Sequence, residues 1–301
     1  MLQYRELVKR NMRLFLRDKG AVFFSLLSML IVLALMLFFL GDMNVDNLKE
    51  ALAEIPGRNA DTDADNAFLF VVLWTCAGIV SINAVTVTLA VYSAMIKDRT
   101  EGRLASIYTL PISRLTVSAS YVTAAWLCSV IICVITLAIS EIYCIIIGGE
   151  IFSVLTHLKL LGMIAVNSFT YAALMYLAAT LIKTQGAWSG IGTVVGTLVG
   201  FLGGIYIPVG ALADGMVNVM KFVPVLYGTK MFRSVMTEDI SSRIFDGIPD
   251  AFKTEYLEVM GVELDFFGSG VNNAACVILL TLCGIVFLSL GVFAAKRNSR
   301  R

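Results

Sequence analysis

Apolar residues come in six long runs separated by polar stretches: 21–40, 67–96, 117–139, 160–182, 186–207 and 271–295. At a rise of 1.5 Å per residue, a helix of about 20 apolar residues crosses a hydrocarbon core about 30 Å thick. The pattern predicts an all-α integral membrane protein with six transmembrane helices. The run 67–96 exceeds this length and must tilt or project a turn or two beyond the bilayer. The run 117–139 is followed by Glu141 and a further apolar patch, 142–147. A carboxylate inside a span defaults to a functional candidate, but Glu141 sits near a helix end, where snorkelling to the interface accounts for it.

The polar stretches between the runs carry their own patterns. Residues 1–20 read as an amphipathic helix: at 100° per residue Tyr4, Leu7, Val8, Met12 and Phe15 share one face, and Lys9, Arg10, Arg13 and Arg17 the other. Such a helix lies in the headgroup layer with its cations toward anionic lipid, either as an anchor or as a gating element. The loop 97–114 starts charged and continues with Leu104, Ile107, Tyr108 and Leu110 at helical spacing. It breaks at Pro111, and Ser113 stands where the next helix needs an N-cap. It predicts a short helix across the ends of two spans, serving either as a receiver of force from a partner or as a simple cap.

The fifth run carries Gly192, Gly196, Gly200 and Gly204, one glycine every four residues. That stripe lets another helix backbone approach closely, in a second protomer or in the same one. Beyond it, 205–236 holds short apolar pieces broken by Gly and Pro. They are too short to span and predict re-entrant or interfacial helices, since backbone breaks at membrane depth need burial in protein. The stretch 237–270 is polar and predicts an exposed extracytoplasmic loop.

Charge sets the orientation. Fifteen of the 23 Lys and Arg fall in residues 1–20, in 97–114, at Lys183 and in the tail 296–301. Seven acidic residues fall in 42–65 and nine in 214–265. Cations concentrate on cytoplasmic loops, so both termini are expected in the cytoplasm. A composition of 58% hydrophobic and 15% charged residues excludes a soluble domain of this length. The first run is too long for a secretory signal, and Gly41-Asp42-Met43-Asn44 offers no cleavage pattern, so it reads as a retained span. The six cysteines lie in or beside apolar runs and read as packing residues rather than a disulfide or metal framework. His157 stands in a loop and reads as solvated. No basic stripe interleaved with aromatics suggests nucleic acid. Neither a catalytic motif nor a phosphate-binding loop is present, so no catalytic or metal residue is expected. The chain reads as a non-enzyme, and any ATP site would lie on another polypeptide.

Three features, in this order on a frame with both termini inside, resemble the permease subunit of type-2 ATP-binding-cassette (ABC-2) exporters over nearly the whole chain. The basic amphipathic segment runs directly into the first span. The loop holds Glu101-Gly102-Arg103-Leu104 and then Leu110-Pro111-Ile112-Ser113. The fifth run ends in Gly204-Ile205-Tyr206-Ile207-Pro208, with Pro224-Val225-Leu226-Tyr227 and Arg233 behind it.

The resemblance implies a 21–301 transmembrane domain that pairs with a second copy or a sister permease in a bacterial inner membrane. Two cytosolic ATPase subunits, which bind the ATP and Mg, would dock beneath it; this chain would carry no cofactor. Glu101, Gly102, Arg103, Leu104 and Tyr108 would form the main ATPase contact, with Lys183 in a second one. Asn83, Thr86, Thr193 and Thr197 would line the path, and Tyr206, Pro208, Pro224 and Tyr227 would form the outer gate. The cargo would be a drug, peptide, lipid or lipid-linked compound. A secondary transporter or channel without ATP is the competing reading, and it would need a midplane ion site or matching broken helices. A membrane assembly or immunity protein without transport activity is a third.

Overall fold

A computed structural model describes residues 2–35, 41–53, 55, 58–109, 111–266 and 269–298. Leu110, the end of the first apolar run at 36–40, and the cations at 300 and 301 lie outside the described residues. Thirteen α-helices occur among the described residues: α1 Leu2–Arg17, α2 Lys19–Leu35, α3 Gly41–Ala53, α4 Ala60–Thr100, α5 Arg103–Tyr108, α6 Arg114–Ile146 and α7 Val154–Leu181, then α8 Gln185–Leu202, α9 Asp214–Met220, α10 Pro224–Met236, α11 Glu238–Ile244, α12 Asp250–Val259 and α13 Asn273–Asn298. Among the described residues, one pairing of extended segments joins Asp265 to Gly270 and Phe266 to Ser269. Among the described residues four helices, α4, α6, α7 and α13, are long and apolar enough to cross a membrane.

α4 is the central post. Its 41 residues reach about 60 Å, twice a hydrocarbon core. Asn59 starts it by accepting from the backbone N–H groups of Asp61 and Thr62, and Asp61 and Asp63 in its first turn complement the helix dipole. The predicted run 67–96 is thus extended at both ends, more at the Asn59 end than at the Thr100 end. α6 and α7 pack along α4, α13 packs on α7, and α1 lies against α6. The hydroxyls of Ser113 and Ser153 cap α6 and α7 by accepting from the N–H of Thr116 and Thr156. α6 continues through Glu141 and the apolar patch to Ile146, and stops before Gly148, whose φ is +93°.

Short helices fill the Asn59 end. α3 buries Val45, Leu48 and Leu52, and packs on α4. Arg58 grips Asp63 through two nitrogens, at 2.6 and 2.8 Å, and donates to the carbonyl of Ile244. Within 237–270, the polar reading gives way to packed structure: Ile240, Ile244, Ile248, Leu257 and Met260 join the core. α10 starts with Pro224 at its first turn, a position where the missing N–H costs nothing, and is buried between α4, α7 and α13.

Candidate functional site

The Thr100 end of the bundle is held by one carboxylate. Asp98, on the last turn of α4, has a side chain only 1% exposed. Its Oδ2 accepts from the Tyr121 hydroxyl of α6 at 2.6 Å and pairs with Arg10 of α1 at 2.8 Å. Its Oδ1 accepts from Arg103 Nε of α5 at 2.9 Å. A buried carboxylate is stable only when charge and hydrogen bonds compensate its lost hydration. Asp98 meets that condition with donors from three other elements. Burial lowers the pKa of Arg10, but its hydrogen bond to Asp98 and the field of Tyr121 more than offset this, and the guanidinium is held above its ordinary value. Beside it, Asn11 donates to Ser120 at 3.2 Å and the Tyr4 hydroxyl shares a hydrogen bond with Thr123 at 2.6 Å.

This corrects the expected face of α1. Arg10 and Asn11 turn inward onto α6 and α4, with Val8 and Phe15 buried alongside. Helical periodicity assigned Arg10 to the charged face because it sees only the helix, whereas the partner charge that draws it in belongs to α4.

α5 follows directly from this hub. α4 ends at Thr100, and Gly102 takes a left-handed φ of +77° with open space where a Cβ would stand, which restarts the chain as a six-residue helix. A non-glycine residue is strained in that region. Leu104 is buried, while Glu101 and Arg103 stay about half-exposed and pair with each other. Arg99 donates to the carbonyls of Ala179 and Ile182 at 2.8 and 2.6 Å, capping the last turn of α7 as a cation does at a helix C-terminus. Lys183, just beyond, lines the same cavity as Leu104 and Tyr108. The structure thus gathers Glu101, Gly102, Arg103, Leu104, Tyr108 and Lys183 at one end.

The four expected path residues separate. Asn83 is buried and donates to Thr136 of α6 at 2.8 Å, while Thr86 is half-buried and bonds to the carbonyl of Asn83. Thr193 and Thr197 lie together on the exposed side of α8, each donating back one turn. Of the glycine stripe, Gly192 faces Leu89 of α4 and Gly200 lies under the Tyr206 ring, whereas a Cβ at Gly196 would meet open space.

The fifth run stops as a helix at Leu202 rather than at 207. Gly204 adopts φ +63°, and its carbonyl accepts from Arg233 of α10 at 2.7 Å. Arg233 is fully buried, lies 3.9 Å from the centroid of the Trp74 ring, and also donates to the carbonyl of Met260, which accepts from Trp74 Nε1. Carbonyls and a π-face thus take the place of a counter-ion. Tyr206 and Pro208 line a small cavity of about 190 Å³ beside α3 and α12. Tyr227 lies elsewhere, buried on α10 with its hydroxyl bonded to the carbonyl of Lys221, and Pro224 opens that helix. His157, expected as solvated, shares a hydrogen bond with Glu141 at 2.9 Å, and Glu141 also accepts from the N–H of Phe152. No group of three or more His, Cys, Asp or Glu among the described residues could hold a metal.

Long apolar helices packed around a central post define a multi-pass membrane protein. The family model described as ABC-2 family transporter protein matches residues 53–294. The chain therefore belongs to the ABC-2 transporter family, and it is a membrane transport component. The match takes in α4 to most of α13 and leaves α1 and α2 outside. No match was found among curated proteins.

Proposed function

We propose that this chain is the permease subunit of an ATP-dependent exporter in a bacterial inner membrane. It pairs with a second copy or a sister chain and is driven by separate cytosolic ATPase subunits that bind ATP and Mg. In this reading six helices span, α2 and α8 joining the four long ones. Both termini and α5 face the cytoplasm, and α9 and α10 are re-entrant from the outer side. The observation that carries the reading is the Asp98 hub: α5 is tied through Asp98 and Arg103 to α4, and through Arg10 to α1. A push on the exposed Glu101 and Arg103 edge is thereby passed to the central post rather than absorbed by a loose loop.

The exposed Thr193 and Thr197 side of α8 is the surface we assign to the path, and the Arg233 clamp holds the outer closure around Tyr206 and Pro208. Small changes at a docking edge become a two-state change because packed helices are bistable rather than continuously deformable. The cargo class is a drug, peptide, lipid or lipid-linked compound.

Purification of the tagged chain from its native membrane tests the reading. A soluble ATPase should co-purify, cross-link to a cysteine placed at Glu101, and drive ATP-dependent transport in proteoliposomes. The charge reversal Glu101→Lys should leave ATP hydrolysis measurable and reduce transport per ATP. Full transport by the lone chain without nucleotide contradicts the proposal.

A further inference from the structure

A cavity of about 680 Å³ opens at the Thr100 end, enclosed by the ends of α4, α5, α6, α7 and α13. Its charged lining is one-signed. Arg99, Arg114, Lys183 and Lys296 converge on it from α4, α6, the turn after α7 and α13, and no carboxylate lines it among the described residues. Two acidic residues at this end pair elsewhere, Asp98 with Arg10 and Arg103, and Glu101 with Arg103. The lining also includes the apolar side chains of Met95, Leu104, Leu115 and Val292. Ser113 and Ser118 add hydroxyl donors. Arg114 is set over the Tyr108 ring, 5.1 Å from its centroid, which orients its guanidinium without neutralising it.

Like charges such as Arg114 and Lys183 around one space repel each other and favour an anion between them. A phosphate suits them, because guanidinium presents paired donors and ammonium adds a point charge. The apolar part of the lining calls for more than a free anion. α13, which forms one wall, is the least buried of the four long helices, and Ile285, Leu290 and Phe293 are exposed along it. The cavity is therefore continuous in chemistry with a lipid-facing flank. Basic pockets between helices at the cytoplasmic surface take anionic headgroups, and the volume falls in the range of small-molecule sites.

We propose that this cavity binds one anionic phospholipid of the inner leaflet. Its phosphate lies against Arg114 and Lys183, and its acyl chains lie on Leu115 and Val292 and along α13. Such a lipid bridges the α5–α6 corner to α7 and α13, so its occupancy sets how firmly the α5 end is braced. The inference takes only the orientation from the proposed function. Binding is read on the chain alone, without an ATPase, so it stands or falls separately from ATP-driven export.

The test uses the full chain in detergent, with phosphatidylglycerol, phosphatidylcholine or inorganic phosphate added, read by thermal midpoint and by lipid retained in native mass spectrometry. Phosphatidylglycerol should raise the midpoint and be retained at one molecule per chain. Neutralising Arg114→Gln and Lys183→Gln together should weaken retention roughly thirtyfold, while Lys9→Gln with Arg13→Gln on α1 should not. Leu115→Trp, which keeps every charge and fills the cavity from a half-exposed position, should also lose the lipid. It serves as the deciding variant where the double substitution does not fold. Equal retention of phosphatidylcholine, retention undiminished in Leu115→Trp, or equal stabilisation by inorganic phosphate alone would each overturn the proposal.

Discussion

Asp98 joins α1, α4, α5 and α6 through a single carboxylate that is almost out of reach of water. Removing one partner of a buried pair is costly because the remaining charge is orphaned, though Arg10 and Arg103 keep about a third and a half of their exposure and can rehydrate. Asp98→Asn should therefore weaken the docking of α1 by about 1.5 kcal/mol, raising its detached population roughly tenfold. Trypsin cleavage at Arg10 or Arg13 in the full chain should accelerate in proportion; an unchanged rate would detach Asp98 from this role. Little of the hub was legible in the sequence. Asp98 sits in a charged stretch that looks solvated, and Arg10 and Tyr121 are far from it along the chain. The Glu141–His157 contact was hidden for the same reason: the two residues belong to different helices, and only the turn at Gly148 and Gly149 brings them together.

Close approach, rather than hydropathy, decides how the shorter helices sit. A Cβ at Gly228 of α10 would stand 2.6 Å from Asn167 Oδ1 and 2.9 Å from Ser81 Oγ, between α7 and α4. Gly228→Ala should lower stability by about 1–3 kcal/mol through overpacking, whereas Gly196→Ala, with open space around it, should leave the protomer unchanged or slightly firmer. Thermal unfolding of the two variants in the same detergent checks this, and equal midpoints would contradict the packing described. Long periodic elements were readable because an apolar run must be buried in lipid or protein: α4, α6, α7 and α13 fall on predicted runs. The end of α8 was not, because the helix-ending Gly204 conformation depends on Arg233 from a later element. α11 was hidden by charge, although Ile240 and Ile244 stand four apart and carried the signal of a buried face.

For the molecule as a whole, the cations at the Thr100 end and the acidic residues toward the Asn59 end give the two ends opposite electrostatic character. The proposed orientation takes the basic end as cytoplasmic under the positive-inside bias, and the rest of the proposed cycle depends on that assignment. Glu101 and Asp246 are both exposed, at opposite ends, while five of the six native cysteines are buried. The decisive measurement is labelling of single cysteines at these two positions with a membrane-impermeant thiol reagent. Position 246 should react in intact cells and position 101 only after permeabilisation. Reaction of position 101 in intact cells, with 246 protected, would invert the molecule and remove α5 from reach of any cytosolic motor.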